Sequence, residues 1–213
     1  MVHSAQILVS SIQMKILIAT KNKGKLEEIQ EMLVGEDGIC AEFVSLEEVG
    51  CTDDFKEEGA SFEENALGKA RFFFSKTGIP TVVDDSGIFV EALADELGVK
   101  TRRWGVGEAA SDEEWLAHFM NRMREETRRG AKFICAAAYV SGEEEKVFIG
   151  ETSGVIAESI EVSVKKGIPL SSVFRPEGEE RVYAALSLEE KNRLSHRGKA
   201  FLQLKNYVKE QIK

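Results

Sequence analysis

Short uninterrupted apolar runs alternate along the chain with stretches in which apolar residues recur every three or four positions. The first run, residues 15–20 (KILIAT), predicts a buried strand. A polar turn, Lys21-Asn22-Lys23-Gly24, follows it. Leu26, Ile29 and Leu33 then fall at helical spacing, predicting a helix from about Lys25 to Val34 with Gly35 as its stop. Residues 39–44 suit a second strand, and a long acidic loop carries Thr52-Asp53-Asp54 and Glu57-Glu58-Gly59. Ser61-Phe62-Glu63-Glu64 has the S-x-x-E form of a capping box and opens a helix expected to end near Gly78. After Pro80, Thr81-Val82-Val83 starts a buried strand that the spacing ends at Asp84-Asp85-Ser86-Gly87. A second capping box, Ser111 to Glu114, predicts a helix through about Arg128. Residues 132–140 and 145–157 read as a hairpin turned at Ser141-Gly142-Glu143. Ser187 to Glu190 caps a short helix, and a final helix is expected near 198–211. Strands mixed with helices, plus one long hairpin, predict an α/β fold with a mixed sheet.

Composition narrows this picture. With 213 residues, 43 % of them hydrophobic, the chain is long enough to bury a core without staples. No repeat, low-complexity tract or Pro/Gly/Ser linker divides it, so residues 14–213 are expected to form one domain. The first 13 residues lack the basic start and small-residue cleavage site of a signal peptide. They are expected to be either an added edge strand or a loose tail. No apolar run approaches the ~20 residues needed to span a membrane. The 28 basic and 37 acidic residues leave a net charge of −9, which argues against broad attraction to nucleic acid or an anionic membrane. A small basic pocket remains compatible with that charge. Cys40, Cys51 and Cys135 lie far apart without a CxxC pair, which points away from a disulfide framework or a thiolate zinc site. A reducing, cytoplasmic setting is expected.

Four clusters carry candidate chemistry. The strand–turn–helix at residues 16–29 offers Thr20, Asn22, free backbone N–H groups and Lys25 at a helix start, a combination that favours an anion. It is neither a Walker A loop nor a G-x-G-x-x-G turn, and it also reads as a solvated lysine-rich turn. Asp84-Asp85-Ser86-Gly87 places two carboxylates together. Within a strand they would point to opposite faces, but at its carboxyl end they would enter the crevice where open α/β sheets bind ligands. Such oxygens suit Mg²⁺, although the same residues would also serve an Asx-turn. In the third cluster Glu57 is a further metal-ligand candidate, and Asn65 and Lys69 share a helix face four residues apart. Here Glu64 fits a capping role, and Lys69 also fits a solvated position. The fourth is Ser195-His196-Arg197 with Lys191 one turn earlier, a set suited to a carbonyl oxygen and phosphates.

Together and in this order, these clusters resemble the inosine/xanthosine triphosphate pyrophosphatase family. The similar stretches are ATKNKGKLEEI (19–29), EEGASFEENALGKA (57–70), VVDDSGIFVEAL (82–93) and EEKNRLSHRGKA (189–200), with a weaker match in GVKTRRW (98–104). The resemblance covers roughly residues 14–208. It implies an elongated mixed sheet flanked by helices, in two lobes around a central cleft, assembled as a homodimer. It implies hydrolysis of ITP, dITP and XTP to monophosphate and pyrophosphate with Mg²⁺, for which Mn²⁺ would be a substitute. Carried onto this chain, Thr20, Asn22, Lys25, Lys69 and Lys191 would hold phosphate. Glu57 and Asp85 would hold the metal with Asp84 nearby, and Asp85 would orient or deprotonate the attacking water. Ser86 would line the nucleotide site, His196 and Arg197 would contact the purine six-position oxygen, and Arg103 is a further candidate. Such a set makes chemical sense, because metal and lysines stabilise charge building on phosphate oxygens. An arginine, offering only donors, accepts a six-oxo group and mismatches a six-amino group.

One departure stands out. The family's G-F-G-Y-D-P-x-F segment corresponds here to Gly167-Ile168-Pro169-Leu170-Ser171-Ser172-Val173-Phe174, which keeps only the first glycine and last phenylalanine. The aromatic platform for the base is gone, and Ser171 stands in place of the aspartate. The residues around Asp95-Glu96-Leu97 also lack the family's Gly-Gly-x-Pro run. Two alternatives therefore stand beside the implied activity: the same reaction with altered base preference, and a noncatalytic nucleotide-binding protein.

Overall fold

In the computed structural model of the chain, residues 14–34, 38–94, 96–107, 109–142 and 144–211 are described. The expected extension 1–13, the helix stop at Gly35, the Asp95 position and the Glu143 turn residue lie outside them. The first apolar run forms β1 (Lys15–Ile18), with Ile16, Leu17 and Ile18 fully buried. Helix α1 (Lys23–Val34) starts two residues earlier than expected, because Asn22 caps it: its Oδ1 accepts the Lys25 N–H at 3.1 Å. β2 is Glu42–Ser45 and lies parallel to β1.

Helix α2 (Phe62–Thr77) is capped by Ser61, whose hydroxyl accepts the Glu64 N–H, and it ends on Gly78 in the left-handed region. The Glu64 carboxylate closes back on the Ala60 N–H at 2.8 Å. β3 (Thr81–Val90) is parallel to β1 and antiparallel to β4 (Gly130–Val140). β5 (Glu145–Ile156) and the short β6 (Phe174–Pro176) complete a mixed six-stranded sheet in the order β2-β1-β3-β4-β5-β6. The α/β class with a mixed, helix-flanked sheet is thus present.

Three further boundaries differ from the sequence-based expectation, the first two for tertiary reasons and the third because of a local cap. β3 does not stop at Asp84. Pairing of Asp84 with Ala137, Asp85 with Ala136 and Gly87 with Ile134 gives its backbone ladder partners that outweigh the turn-forming preference of DDSG. Helix α3 (Asp112–Arg122) ends six residues before Arg128. The Arg129 guanidinium donates to the Met123 and Glu126 carbonyls and to those of Ile156 and Ala157, turning the chain from the helix end onto β5. Finally, α4 (Leu188–Leu194) is followed at once by α5 (His196–Gln211), because the Ser195 hydroxyl accepts the Gly198 N–H at 3.0 Å. His196 and Arg197 therefore lie in the first turn of a long helix.

Strand alternation sorts the core. On one face Ile16, Ile18, Val82 and Ala137 pack under α1 and α5, through Ile29, Leu33, Phe201 and Leu204. On the other, Leu17, Val83, Ala136 and Ala138 pack under Phe62, Ala66, Ala70 and Phe73 of α2. A third cluster continues the first face beyond the polar positions 84 and 86: Ile88, Val90 and Phe133 meet Trp115, Phe119, Phe174 and Tyr183. Asp84 and Ser86 thus occupy the seam between two apolar clusters.

Candidate active site

β1 is short, so β3 beyond Val82 loses its parallel neighbour and borders the β1–α1 turn instead. A cavity of about 350 Å³ opens there. Eleven of the twelve expected site residues line it: Thr20, Asn22, Lys25, Glu57, Lys69, Asp85, Ser86, Arg103, Lys191, His196 and Arg197. Asp84 does not; it is fully buried behind the wall. Because β3 runs on, the two aspartates point to opposite faces. They do not enter the crevice side by side as a strand end would have placed them.

Asp84 belongs to a buried chain of charges. Its Oδ2 lies 3.1 Å from Lys25 Nζ and 3.0 Å from the Arg197 guanidinium. Arg197 also meets Glu28 at 2.5 Å, and Glu28 meets Lys191 at 2.5 Å. Burial alone would raise the Asp84 pKa, but Lys25 and Arg197 hold it well below the usual carboxylate range. Burial opposes ionisation of Glu28 as well, and Arg197 with Lys191 keeps its carboxyl below the ordinary value. Three cations against two carboxylates leave this network one positive charge in excess. Ser86 Oγ accepts from Arg197 at 3.0 Å and donates to Asp84 at 3.1 Å.

Asp85 stands apart from this network. Burial and the nearby Glu57 push its pKa up to about 6, with Lys25 and the Asn65 amide acting in the opposite direction. Glu57 itself pairs with Lys69 at 3.1 Å, and its backbone carbonyl accepts from Arg103 at 2.6 Å. Arg103 is presented by a 3-10 turn, Gly98–Arg103, that Thr101 fastens to β3 through the Ile88 N–H. Two buried carboxylate oxygens, Asp84 Oδ1 and Asp85 Oδ2, have no hydrogen-bond partner. Glu57, Asp84 and Asp85 are nevertheless not drawn into one cluster. Among the described residues no three His, Cys, Asp or Glu side chains gather closely enough to hold a metal ion by themselves.

At the far end of the cavity, His196 stacks on Phe133 with ring centres 4.5 Å apart. Burial, then Arg197 and Lys191, lower its pKa well below the usual value, so the imidazole is neutral. Lys191 donates to Ser171 Oγ at 3.0 Å and lies over the Tyr183 ring. The segment lacking the aromatic platform still forms a wall, with Gly167, Ile168, Pro169, Leu170 and Ser171 lining the cavity.

Several participants escaped sequence reasoning. Glu28 looked like one of many helix-surface acids, and charged residues are rarely buried; its signal was a position three residues after Lys25, on the same helix face. Phe133 and Tyr183 gave no signal beyond apolar patterning.

A mixed sheet whose β1–α1 turn, buried cations and two carboxylates converge on one polar cavity defines an α/β protein built to receive a small polyanion. The chain belongs to the Ham1 family, whose pattern matches residues 16–207. It is 40 % identical over 188 residues to a dITP/XTP pyrophosphatase of Mycobacterium tuberculosis, covering 87 % of this chain and 91 % of that protein. A dITP/XTP pyrophosphatase of Streptomyces avermitilis is 37 % identical over 199 residues, 92 % of this chain and 98 % of that one. The solved structure of a HAM1 protein from Coxiella burnetii superposes with a TM-score of 0.76 at 32 % identity, covering 92 % of this chain and 99 % of that one.

Proposed function

We propose that this protein hydrolyses non-standard purine nucleoside triphosphates (ITP, dITP and XTP) to the monophosphate and pyrophosphate, clearing them from the nucleotide pool. The observation that carries the reading is Asp85, a buried carboxylate with a pKa pushed up to about 6 and one unpartnered oxygen, lining a cavity whose other walls supply lysines and arginines. A base poised near neutrality suits proton abstraction at working pH. The Mycobacterium tuberculosis and Streptomyces avermitilis relatives are dITP/XTP pyrophosphatases by name, which supports the dITP and XTP part of the reading.

In this reading the α1 turn, Thr20, Asn22 and Lys25 hold phosphate, joined by Lys69 and Lys191. Water attacks the α-phosphorus, the α–β bridging P–O bond breaks, and pyrophosphate leaves. Asp85 orients the attacking water, and its carboxylate takes the proton released. Asp84 stands behind as the counter-ion that fixes Lys25 and Arg197. Ser86 and Arg103 line the nucleotide path, and Arg197 with His196 meets the six-oxo edge of the base.

The donor set fits a divalent ion such as Mg²⁺, with Mn²⁺ as a substitute: Glu57 and Asp85 supply carboxylate oxygens, one of them unpartnered. Mg²⁺ ordinarily completes its shell with water and phosphate oxygens, so two carboxylates suffice. A bound ion would neutralise charge developing on the phosphates.

A second reading, the same reaction with broader base preference, is favoured by one observation. The cavity wall at 168–170 is aliphatic, Ile168-Pro169-Leu170, where an aromatic platform was expected. The setting proposed is cytoplasmic, supported by three unpaired cysteines. Among the described residues, no helix is long and apolar enough to cross a membrane. Residues 14–213 are proposed to act as one two-lobed unit and to pair as a homodimer, for which the exposed Phe89 and Val155 offer apolar surface.

A panel of nucleotides with Mg²⁺, read for pyrophosphate against orthophosphate, tests the function. Pyrophosphate from ITP, dITP and XTP supports it, comparable rates on ATP, GTP and pyrimidine nucleotides shift it to the second reading, and no pyrophosphate from any nucleotide overturns both.

A further inference from the structure

Residues 167–171 line the cavity as a strap, and Gly167 is held from two sides. Its carbonyl accepts the Asn22 side-chain amide at 2.7 Å, from the phosphate-side turn. Its N–H donates to Asp112 Oδ2 at 2.6 Å, from the first turn of α3. The strap's other backbone bonds here are local, Ile168 to Lys165 and Ser171 to Ile168. Its approach to the turn is close: a Cβ on Gly24 would lie 2.7 Å from the Lys166 carbonyl and 3.3 Å from the Ile168 side chain. Gly167 itself adopts φ +81°, and a Cβ there would collide with the Asn22 amide. Beyond this clasp, Ile168, Leu170 and Ser171 face the cavity, and Ser171 receives Lys191.

Asp112 does not line the cavity, and its carboxylate is mostly buried at 15 % exposure. A carboxylate accepting a backbone N–H makes a stronger bond than a neutral acceptor does. Arg102, 3.9 Å away, steadies the far oxygen. Both ends of this link are fixed: Ser111 and Glu114 form a reciprocal capping box that sets the first turn of α3, and the Gly167 carbonyl is tied to the turn that caps α1.

We propose that Asp112 is a positioning residue for nucleotide binding, acting through the Gly167 peptide to hold the strap as a cavity wall against the phosphate-side turn. The inference rests on the nucleotide reading above. It assigns nucleotide affinity, and not the chemical step, to a residue outside the cavity. With the link cut, Gly167 loses its charged tie to α3, while Leu170 still packs in the cluster that holds Trp115 and Phe119. The phosphate-side end of the strap is thereby released, so binding weakens while Asp85 and the lysines keep their places.

The test compares Asp112→Ala and Asp112→Asn, the second of which retains an oxygen able to accept the Gly167 N–H. Steady-state kinetics on ITP should show KM raised about tenfold in Asp112→Ala with kcat within about twofold of wild type, and Asp112→Asn restoring most of the KM. Binding of a non-hydrolysable ITP analogue, measured by calorimetry, should weaken in parallel. Unchanged KM and affinity in Asp112→Ala overturn the proposal, as does a fall in kcat that Asp112→Asn does not restore. If Asp112→Ala does not fold, Asp112→Ser, which also removes the carboxylate, takes its place: a folded Asp112→Ser with wild-type KM overturns the proposal, and a raised KM at unchanged kcat supports it. Wild-type protein that binds no nucleotide removes the functional reading itself, whereas wild-type binding with an unaffected Asp112→Ala removes only the role of the strap.

Discussion

Asp84 and Asp85 are neighbours in the chain, with the same side chain and opposite fates. Alternation along β3 sends Asp84 onto Lys25 and Arg197, where it is held ionised, and Asp85 toward Glu57, where burial raises its pKa to about 6. A base must be deprotonated to act, so kcat/KM is predicted to fall as pH drops through about 6, which a pH–rate profile checks. Asp85 should also cost stability. Its folded pKa lies above the unfolded value, so the folded state gains stability as pH falls and carries the penalty fully above about pH 6. Asp85→Asn is therefore predicted to lower turnover by orders of magnitude yet stabilise the fold by on the order of 2–3 kcal/mol near neutral pH. Denaturant unfolding should show that gain shrinking toward zero as pH approaches about 4. At this scale the sequence was informative where residues carry chemistry in a cluster: Lys25, Lys69, Asp85 and Arg197 were all marked by type and spacing. It was silent on Glu28, because burial of a helix acid depends on cations brought from α4 and α5, more than 160 residues away in the chain.

Among the elements, serine-capped helix starts and the ends of α1, α2 and α5 were legible, whereas the end of α3 and the extent of β3 were not. Ser61, Ser111 and Ser187 each cap a helix as their spacing predicts, because a cap is satisfied locally. The end of α3 is set instead by Arg129, and the continuation of β3 by pairing with β4, both tertiary effects. The join between α1, α4 and α5 is likewise tertiary, made by Glu28 with Lys191 and Arg197. Removing one partner of a buried ion pair leaves its cations uncompensated. Glu28→Ala is accordingly predicted to destabilise the protein by about 3–5 kcal/mol, read as a lowered denaturant midpoint at unchanged slope. A shift under about 1 kcal/mol would mean that the three helices are held by their apolar contacts alone.

Over the whole molecule, a net charge of −9 encloses a buried network with one positive charge in excess. The acidic balance rightly excluded neither the pocket nor its ligand, and the mixed sheet was legible from strand and helix order. The strap at 167–171 was legible only as a departure from a family pattern; that it still walls the cavity came from its contacts with Asn22 and Asp112. A ligand that binds only the folded state stabilises it by mass action, about 2.7 kcal/mol at a hundredfold excess over Kd. For a chain of this size, a nucleotide with a divalent metal at that excess should raise Tm by about 5–10 °C, measurable by thermal scanning. Direct evidence for the central claim, that water is directed by Asp85 to the α-phosphorus of a nucleoside triphosphate, comes from turnover of ITP in water enriched in the heavy oxygen isotope. The account predicts label in the monophosphate, unlabelled pyrophosphate and no turnover by Asp85→Asn; label in pyrophosphate or orthophosphate, or undiminished turnover by Asp85→Asn, would contradict it.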